Sequence, residues 1–413
     1  MDFTIANARL ADGRVVDLRI EGGRIGSVTA AEPADRSEPG SHDPSWLDVG
    51  GWLLLPPLAE PHAHLDKALT AELVPNPTGD LTGAIDAWIA AADAGTFTHD
   101  DMVTRIRAAI DKLLVNGVTA VRSHINCGAG AGVEHLVAAQ EAVVGYRDLV
   151  DVQFVALTHS PMTGPGCEPN VEALHAAVSL GAHLVGGCPH LELDGRGTIA
   201  QALSIARAAG LDVDLHVDET LDPSMLTLRT LAREVVERGF EGRVAAGHCV
   251  SLGMQPPDVQ AAIAAEVAEA GIAVFPLPQT NLFLQGRHHP MATPRGLTAI
   301  AALRDAGVVI AAGADNVQDP FNLVGRSDPL ETAALLVMAG HILPDDAYEM
   351  VSNNARRAMG LPTVRFEVGD PADFVAIDAP SIRGAIADAP ADRKVFKAGR
   401  LVASSETSRT IHR

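Results

Sequence analysis

Eight short apolar runs recur along the middle of this chain, and each is followed by a polar or Gly/Pro cluster and then by an alanine-rich stretch of helical character. Strands that alternate with helices form parallel βα units, and eight such units close into a barrel. An open doubly wound sheet is the alternative, but no GxGxxG motif follows any run. We therefore predict an α/β protein built on a (β/α)8 TIM-like barrel. The runs begin at Trp52, Val118, Val152, His183, Val213, Val244, Ile272 and Val308.

The two ends of the chain have a different sequence pattern from the middle. Residues 3–30 alternate apolar and polar side chains and contain two hairpin signals, Asp12-Gly13 and Gly22-Gly23. Residues 373–402 repeat this pattern, whereas residues 31–48 are expected to form an exposed loop. We predict that both termini build one small β-sandwich domain. The predicted division is residues 1–55 with 360–413 for the β-domain and residues 56–359 for the barrel.

Charge and cysteine usage exclude several classes of protein. The 413 residues include 31 Lys and Arg against 52 Asp and Glu, a formal net charge of −21, which should repel nucleic acid and anionic membranes. The 4 cysteines form no CxxC pair and indicate a reducing compartment. Asp2 stands where a signal peptide would carry basic residues, and no apolar segment approaches ~18 residues. We expect a cytoplasmic protein that acts on a small molecule and has no nucleic-acid or membrane partner; a homo-oligomer is compatible with these features.

Imidazoles and carboxylates stand where several of the apolar runs end. His62 and His64 follow the first run, His216 the fifth, His248 the sixth and Asp315 the eighth. The carboxyl ends of barrel strands form the face that carries the active site. Residues i and i+2 of a strand point to the same side, so His62 and His64 can approach one cation together. Neutral imidazole with carboxylate suits Zn²⁺ or Fe²⁺, and an open coordination position would make the site catalytic.

These motifs resemble those of the amidohydrolase superfamily and, within it, the cytosine deaminase branch. The resemblance spans most of the chain, and a β-domain built from both termini is the family's usual arrangement. The residues that carry it are Glu60-Pro-His-Ala-His-Leu-Asp-Lys, Val121-Arg-Ser-His, Gly187-Cys-Pro-His-Leu-Glu, Leu215-His-Val-Asp-Glu-Thr, Gly247-His-Cys, Asn281-Leu-Phe-Leu-Gln-Gly-Arg and Gly313-Ala-Asp-Asn-Val-Gln-Asp-Pro-Phe.

The resemblance implies a ligand set and a mechanism. It implies that one divalent metal, Zn²⁺ or Fe²⁺, activates a water, and that the resulting hydroxide attacks the ring carbon bearing the amine. Glu219 would shuttle the proton, His248 would orient the hydroxide, and Asp315 would also accept a proton. The implied metal ligands are His62, His64, His216 and Asp315.

The number of metals follows from the fourth run. Some members of the superfamily bridge two metals with a carboxylated lysine from the fourth strand, but residues 183–192 contain no lysine. Lys67 is the lysine near a ligand motif, and it is too close to His64 in sequence to serve as that bridge. One metal ion per chain is therefore expected.

The expected substrate pocket departs from that of cytosine deaminases. His159 aligns with their glutamine, Asn316 with a second aspartate and Phe321 with a tryptophan, while Gln285 and Arg287 complete the expected substrate contacts. These departures favour a metal-dependent hydrolytic deaminase of a cytosine-like, pterin-like or triazine-like heterocycle. An N-alkylamino-triazine aminohydrolase or a cyclic amide hydrolase is the alternative. A non-catalytic barrel scaffold is a different class, and retention of every expected ligand together with Glu219 disfavours it.

Several polar residues near these motifs allow two interpretations. His124 and His190 can be structural hydrogen-bonding histidines or pocket contacts. Asp66 can support a metal-binding histidine or cap a loop, and Asp218 can contact the pocket or cap a loop. Cys188 is expected to be a small packing residue.

Overall fold

The structure is a computed structural model that describes residues 2–31 and 46–412. In chain order its strands are β1 (Phe3–Arg9), β2 (Val15–Glu21), β3 (Arg24–Ala30), β4 (Trp46–Asp48), β5 (Leu53–Leu55), β6 (Leu58–Ala63), β7 (Val118–Cys127), β8 (Asp151–Thr158), β9 (Leu184–Val185), β10 (Asp212–Val217), β11 (Val244–His248), β12 (Ala273–Phe275), β13 (Phe374–Ile377), β14 (Arg393–Lys397) and β15 (Arg400–Ser405). The helices are α1 (Leu81–Asp93), α2 (His99–Val115), α3 (Glu134–Ala142), α4 (Glu168–Ser179), α5 (Gly195–Ala209), α6 (Thr227–Glu237), α7 (Pro257–Glu269), α8 (Pro278–Leu284), α9 (Ile300–Asp305), α10 (Pro329–Gly340), α11 (Pro344–Met350), α12 (Asn353–Ala358) and α13 (Ile382–Asp388). No helix within the described residues is both long and apolar enough to cross a membrane.

The predicted barrel is confirmed. Strands β6 to β12 form one sheet of 7 strands whose neighbours follow chain order, and every pair in it is parallel. The eighth position is held by two isolated parallel bridges, Val274 with Ile310 and Ala63 with Asp315. The eighth segment leaves the regular ladder because Asp315 has a left-handed backbone, with φ 66°. The barrel is thus closed by a bent segment that carries a predicted metal ligand.

The first apolar run forms β5, which lies outside the barrel, so its interpretation as the first barrel strand is wrong. β5 pairs antiparallel with β13 and belongs to the terminal sheet, whereas β6 pairs with β7 and begins the barrel. Pro56 and Pro57 separate the two, because proline has no backbone N–H to donate to a ladder. Both strands are fully buried, although β6 carries Glu60 and His62, so burial by itself does not mark the change of sheet.

The termini form one sheet in the order β15-β14-β13-β5-β1-β2-β3, with β4 pairing with β1. The expected sandwich is thus a single hydrogen-bonded sheet within the described residues, and its buried face includes Leu18, Phe374 and Phe396. Residues 46–48 of the predicted loop form β4, and residues 32–45 of that loop lie outside the described residues. The domain boundaries remain a prediction.

Local sequence explains how the barrel units join. All ten residues of β7 are buried, as in a parallel strand covered by helices on one side and by the barrel interior on the other. The side chain of Thr98 caps α2 by accepting a hydrogen bond from the backbone N–H of Asp101. Gly117 and Gly181 adopt positive φ angles directly after α2 and α4, where each chain turns back toward the next strand.

Candidate metal centre and active site

Three imidazoles and one carboxylate converge at the carboxyl ends of the barrel strands. His216 Nε2 lies 3.2 Å from His62 Nε2 and 3.1 Å from His64 Nε2. Asp315 Oδ1 lies 3.1 Å from His64 Nε2 and 3.6 Å from His62 Nε2. All four side chains are buried. Strands β6 and β10 and the bent eighth segment therefore bring the four predicted ligands together.

The donor set fits a divalent cation. Ligand atoms at about 2.0–2.1 Å from a tetrahedral centre lie roughly 3.3 Å apart, which is the spacing found here. A hydrogen-bonded alternative fails, because His216 Nε2 has either one hydrogen or one lone pair and faces two other Nε2 atoms. Within the described residues Asp315 Oδ1 has no hydrogen-bond partner, although buried polar atoms normally find one.

Burial keeps these imidazoles neutral, which is the form that binds metal. Removal from water lowers the pKa of His62, His64 and His216 well below the ordinary value, and the neighbouring imidazoles lower it further. Burial raises the pKa of Asp315, and nearby His248 acts in the opposite direction. A bound cation would lower the pKa of this carboxyl group.

Glu60 links two of the ligand-bearing segments, a role that the sequence analysis did not assign. Its Oε1 accepts the backbone N–H of His62 at 3.1 Å, and its Oε2 accepts that of Ala314 at 2.9 Å. Burial raises the pKa of this carboxyl to about 8. The carboxylate therefore fixes β6 against the residue preceding Asp315, where the strand ladder is interrupted. The signal in the sequence was a glutamate inside a barrel strand, two residues before His62, on the same side of the strand.

Glu219 and His248 face the ligand cluster. His248 Nδ1 lies 3.6 Å from Glu219 Oε1 and 3.1 Å from Asn281 Oδ1, and His248 Nε2 lies 3.9 Å from Asp315 Oδ2. Burial raises the pKa of Glu219 well above its ordinary value, the charge of Asp315 raises it further, and Lys67 opposes both effects. Glu219 can therefore hold a proton near neutral pH, as a proton carrier must.

A cavity of 260 Å³ opens beside this cluster. Helix α1 contributes an apolar wall through Leu81, Ile85 and Trp88, and loops after the strands contribute the polar side. The lining residues singled out by the sequence are His64, His159, Cys188, His216, Glu219, His248, Asp315, Asn316 and Phe321. The catalytic and most of the substrate-binding predictions thus fall on one cavity.

Gln285 and Arg287 do not line this cavity. Both line a neighbouring one, which shares Leu81, Leu191 and Glu219 with the first. Gln285 Nε2 donates to the backbone carbonyl of Glu219 at 3.1 Å, and the Arg287 guanidinium lies 4.5 Å from the centre of the Phe283 ring. Gln285 therefore supports the loop that carries Glu219.

A second buried cluster lies next to His62. The His124 ring centre is 4.1 Å from that of His62, and His124 Nε2 is 3.5 Å from Asp214 Oδ1. Asp214 also pairs with Arg122 at 2.9 Å. His124 lies outside the main cavity lining and packs against a predicted ligand, which supports its structural interpretation.

The structure also distinguishes the interpretations of three other polar residues. Asp66 Oδ2 accepts hydrogen bonds from Asn126, at the end of β7, and from His135 Nδ1 of α3 at 2.8 Å, so it holds the loop after β6 against both elements. Asp218 accepts the backbone N–H groups of Thr227 and Leu228 and thereby caps α6. His190 Nδ1 donates to the carbonyl of His216 at 3.1 Å. Each supports a backbone segment beside the site.

The buried neutral histidines predict acid instability of the metal-free protein. The folded-state pKa values of His62, His64, His216 and His248 are lowered, so below pH ~6.5 the unfolded chain binds more protons than the folded chain. Their stability contribution is present above pH ~6.5 and is lost as pH falls. The loss between pH 6.5 and 5.0 is at most about 2 kcal/mol per histidine. Urea unfolding of the metal-free protein at several pH values measures it.

His190 provides the control for this pH dependence. Burial lowers its pKa to about 4, and its side chain contacts the backbone of His216. His190→Gln removes one buried histidine that stays neutral in the folded protein but takes up a proton in the unfolded chain. The variant should therefore show a smaller slope of the free energy of unfolding against pH. A free energy of unfolding that does not change between pH 7 and pH 5 would contradict the assignment of buried neutral histidines.

Comparisons with known proteins agree with this geometry. A family model described as "Amidohydrolase family" matches residues 71–403. The chain is 33% identical over 361 residues to a pterin deaminase of Rhizobium rhizogenes, covering 86% of this chain and 82% of the relative. A 5-methylcytosine deaminase structure from Klebsiella pneumoniae superimposes with a TM-score of 0.87, 28% identity and 99% coverage of both chains. An N-isopropylammelide isopropylaminohydrolase from Burkholderia multivorans gives a TM-score of 0.80, 27% identity and 98% coverage of both chains.

Proposed function

The chain belongs to the amidohydrolase family, and we propose that it is a metal-dependent deaminase that hydrolyses an amino group from a nitrogen heterocycle. The predicted likeness to the cytosine deaminase branch is confirmed by the comparisons. The observation that carries the proposal is the convergence of three imidazole Nε2 atoms and Asp315 beside the buried carboxyl of Glu219, in the wall of one cavity. A scaffold without catalysis has no need for three imidazole nitrogens and a carboxylate oxygen that converge in this way.

The proposed metal ligands are the four residues whose donor atoms converge: His62, His64, His216 and Asp315. Their imidazole and carboxylate donors suit Zn²⁺ or Fe²⁺. When bound, such an ion supplies Lewis acidity that lowers the pKa of water toward neutrality. We propose one ion per chain, because residues 183–192 offer no lysine that could bridge two.

Glu219 is proposed to move the proton in the reaction. Its carboxylate takes a proton from the attacking water and delivers it to a ring nitrogen of the substrate. Asp315 accepts the second proton of that water and passes it to the amino group. The C–N bond then breaks, the amino group leaves as ammonia, and the oxygen of the water becomes the new ring carbonyl. The buried setting that raises the pKa of Glu219 favours retention of the proton between these transfers.

His248 is proposed to position the water. If its Nδ1 donates to Asn281 Oδ1, its neutral Nε2 is left as a hydrogen-bond acceptor. Among the described residues, Nε2 has no hydrogen-bond partner, and it lies 3.9 Å from Asp315 Oδ2. A water held beside these two acceptors can donate one hydrogen toward them, and its second hydrogen is then available to Glu219.

The cavity supports a pterin-like ring over cytosine. Its apolar wall includes Trp88 and Phe321, which offer large faces for a bicyclic heteroaromatic ring. His159 stands where a cytosine deaminase places glutamine, and burial lowers its pKa and favours the neutral ring. The N–H and the lone pair of a neutral imidazole point in diverging directions, so it cannot make the side-by-side donor and acceptor contacts of a glutamine amide to one ring edge. The similarity to the pterin deaminase also supports a pterin-like substrate over cytosine.

Cytosine is therefore expected to be a poor substrate. Its kcat/KM should lie below about 10⁵ M⁻¹s⁻¹, because mismatched hydrogen bonding at a ring edge costs up to ~10⁴-fold. His159→Gln should raise the kcat/KM of cytosine, whereas Ser160→Ala beside it serves as the control variant. Efficient turnover of cytosine by the unaltered enzyme would contradict this specificity.

A screen of aminated pterins, pyrimidines and triazines, with ammonia and alkylamine quantified separately, tests the function itself. We expect ammonia from an amino-substituted ring. Alkylamine release would favour the alternative, an N-alkylamino-triazine hydrolase, to which the similarity of the Burkholderia multivorans structure gives support. Release of neither amine from any ring would contradict both.

A further inference from the structure

Lys67 lies in the active-site cavity without a role in the mechanism above. It follows β6 and stands three residues after His64, and its side chain is only 6% exposed. Its ammonium lies 5.1 Å from the centre of the Phe321 ring, which forms another part of the cavity lining. Lys67 is the only lysine or arginine among the residues that line this cavity.

The ammonium of Lys67 is buried and forms no direct ion pair in the described part of the chain, although its charge acts over longer distances on Asp66, Glu219, Asp315 and Asp319. Among the described residues no carboxylate oxygen lies within 4.0 Å of it, and its hydrogen-bond partner is His64 Nδ1 at 3.1 Å. The buried arginines differ, since each has a carboxylate partner at 2.6–3.2 Å. Buried charges are normally paired, so an unpaired one indicates a partner supplied from outside the chain. The paired arginines are Arg105, Arg122, Arg356 and Arg393.

The contact with His64 does not satisfy Lys67 in the metal-loaded enzyme. An imidazole that gives Nε2 to a metal carries its proton on Nδ1 and is a donor there. A lysine ammonium has three donors and no acceptor, so the two groups cannot hydrogen-bond to each other. The flexible stem of Lys67 then allows the ammonium to turn from His64 toward the cavity.

We propose that Lys67 is a specificity-determining residue that binds an anionic or electron-rich ring oxygen of the substrate. This inference rests on the proposed function and narrows its substrate class. The ring to be deaminated would already carry a lactam or imide oxygen, on which negative charge gathers when the ring ionises. A ring of this kind supplies a directly contacting anionic group for Lys67, and Phe321 stacks beside the ring.

Binding of two unreactive probes tests the proposal. Barbiturate is an anionic pyrimidine ring with three oxygens, and uracil is a neutral one with two; neither carries an amine to remove. Wild-type enzyme loaded with Zn²⁺ should bind barbiturate more tightly than uracil by calorimetry. Lys67→Met should weaken the affinity for barbiturate about 10- to 100-fold, which is the usual contribution of a charged hydrogen bond. The affinity for uracil should stay within about 3-fold of the wild-type value.

Control variants separate charge recognition from a structural role. Lys67→Arg keeps the charge and should retain the preference for barbiturate, and Lys112→Met removes an exposed charge from the last turn of α2 and should change neither affinity. Metal content and circular dichroism of each variant show whether the site is intact. If Lys67→Met weakened the affinity for both probes equally, Lys67 would have a structural role at the metal site, and the proposal would be overturned.

A crystal structure of the wild-type complex with barbiturate gives a second measurement that needs no variant. Lys67 Nζ should lie within about 3.2 Å of a ring oxygen. An ammonium that still faces His64, with the ring oxygens bound elsewhere, would overturn the proposal even if the variants fail to fold. Because the probes cannot be deaminated, their binding is independent of the amine-release screen, so failure of the proposed function is recognised separately.

Discussion

Glu219→Gln is expected to abolish deamination while the enzyme keeps its metal. The carboxamide has nearly the same size as the carboxylate but cannot take up and release a proton, so kcat should fall at least ~10²-fold. The four proposed ligands remain in place, because Glu219 is not one of the converging donor atoms. Steady-state kinetics on the substrate found by the amine-release screen and elemental analysis of the same sample measure both parts.

Two comparisons make the Glu219 result specific. Glu172→Gln changes an exposed glutamate on α4 in the same way and should leave kcat unchanged. The pH profile of kcat in the wild-type enzyme should show a group titrating above the ordinary range of a glutamate, since burial and Asp315 both raise the pKa of Glu219. Near-normal kcat in Glu219→Gln would exclude this residue as the proton carrier.

His216→Ala is expected to remove both the metal and the activity. His216 Nε2 lies within 3.2 Å of two other ligand nitrogens, so its loss opens the centre of the cluster. Activity should fall at least ~10³-fold, because a metal ion supplies several kcal/mol of transition-state stabilisation and 1.36 kcal/mol corresponds to tenfold in rate. Metal content per chain should fall from one ion to a small fraction of one.

The fold should survive loss of the metal. The barrel has its own buried core between strands and helices, and the ligand cluster lies at one end of it. The far-ultraviolet circular dichroism spectra of His216→Ala and of chelated wild-type enzyme should match the spectrum of the metal-loaded enzyme. Added Zn²⁺ or Fe²⁺ should restore activity to the chelated wild-type enzyme and should not restore it to His216→Ala. His99→Ala, an exposed histidine paired with Glu141, is the matched control. Two ions per wild-type chain would contradict the single-metal proposal.

The sequence determined the architecture because its main signal is periodic. Apolar runs alternating with helical stretches require parallel βα units, and such units leave few arrangements other than a barrel or a doubly wound sheet. The spacing of His62 and His64 likewise requires no tertiary information, since alternate residues of a strand share one side. Strand ends therefore placed His62, His64, His216, His248 and Asp315 on one face of the barrel. The family resemblance then selected the four proposed ligands among them.

The first apolar run marks a limit of that reasoning. Leu53–Leu55 and Leu58–Ala63 are both fully buried, yet they belong to different sheets. Hydrophobicity reports burial and does not report which strand is the hydrogen-bonding neighbour. Only the pairing of β5 with β13, across more than 300 residues of sequence, assigns the first of them to the terminal sheet.

The tertiary structure alone decided which polar side chains share the cavity. Gln285 and Arg287 lie in a motif typical of substrate contacts, but α8 ends just before them and turns them toward a neighbouring cavity. Glu60 links β6 to Ala314 across the closure of the barrel, and Lys67 forms no direct ion pair with any carboxylate of residues 2–31 and 46–412. These are relations between side chains far apart in sequence, and their distances depend on loop paths that no local pattern encodes. The sequence thus determined the barrel and the proposed ligand chemistry, whereas the folded chain determined the positions of the groups that surround the substrate.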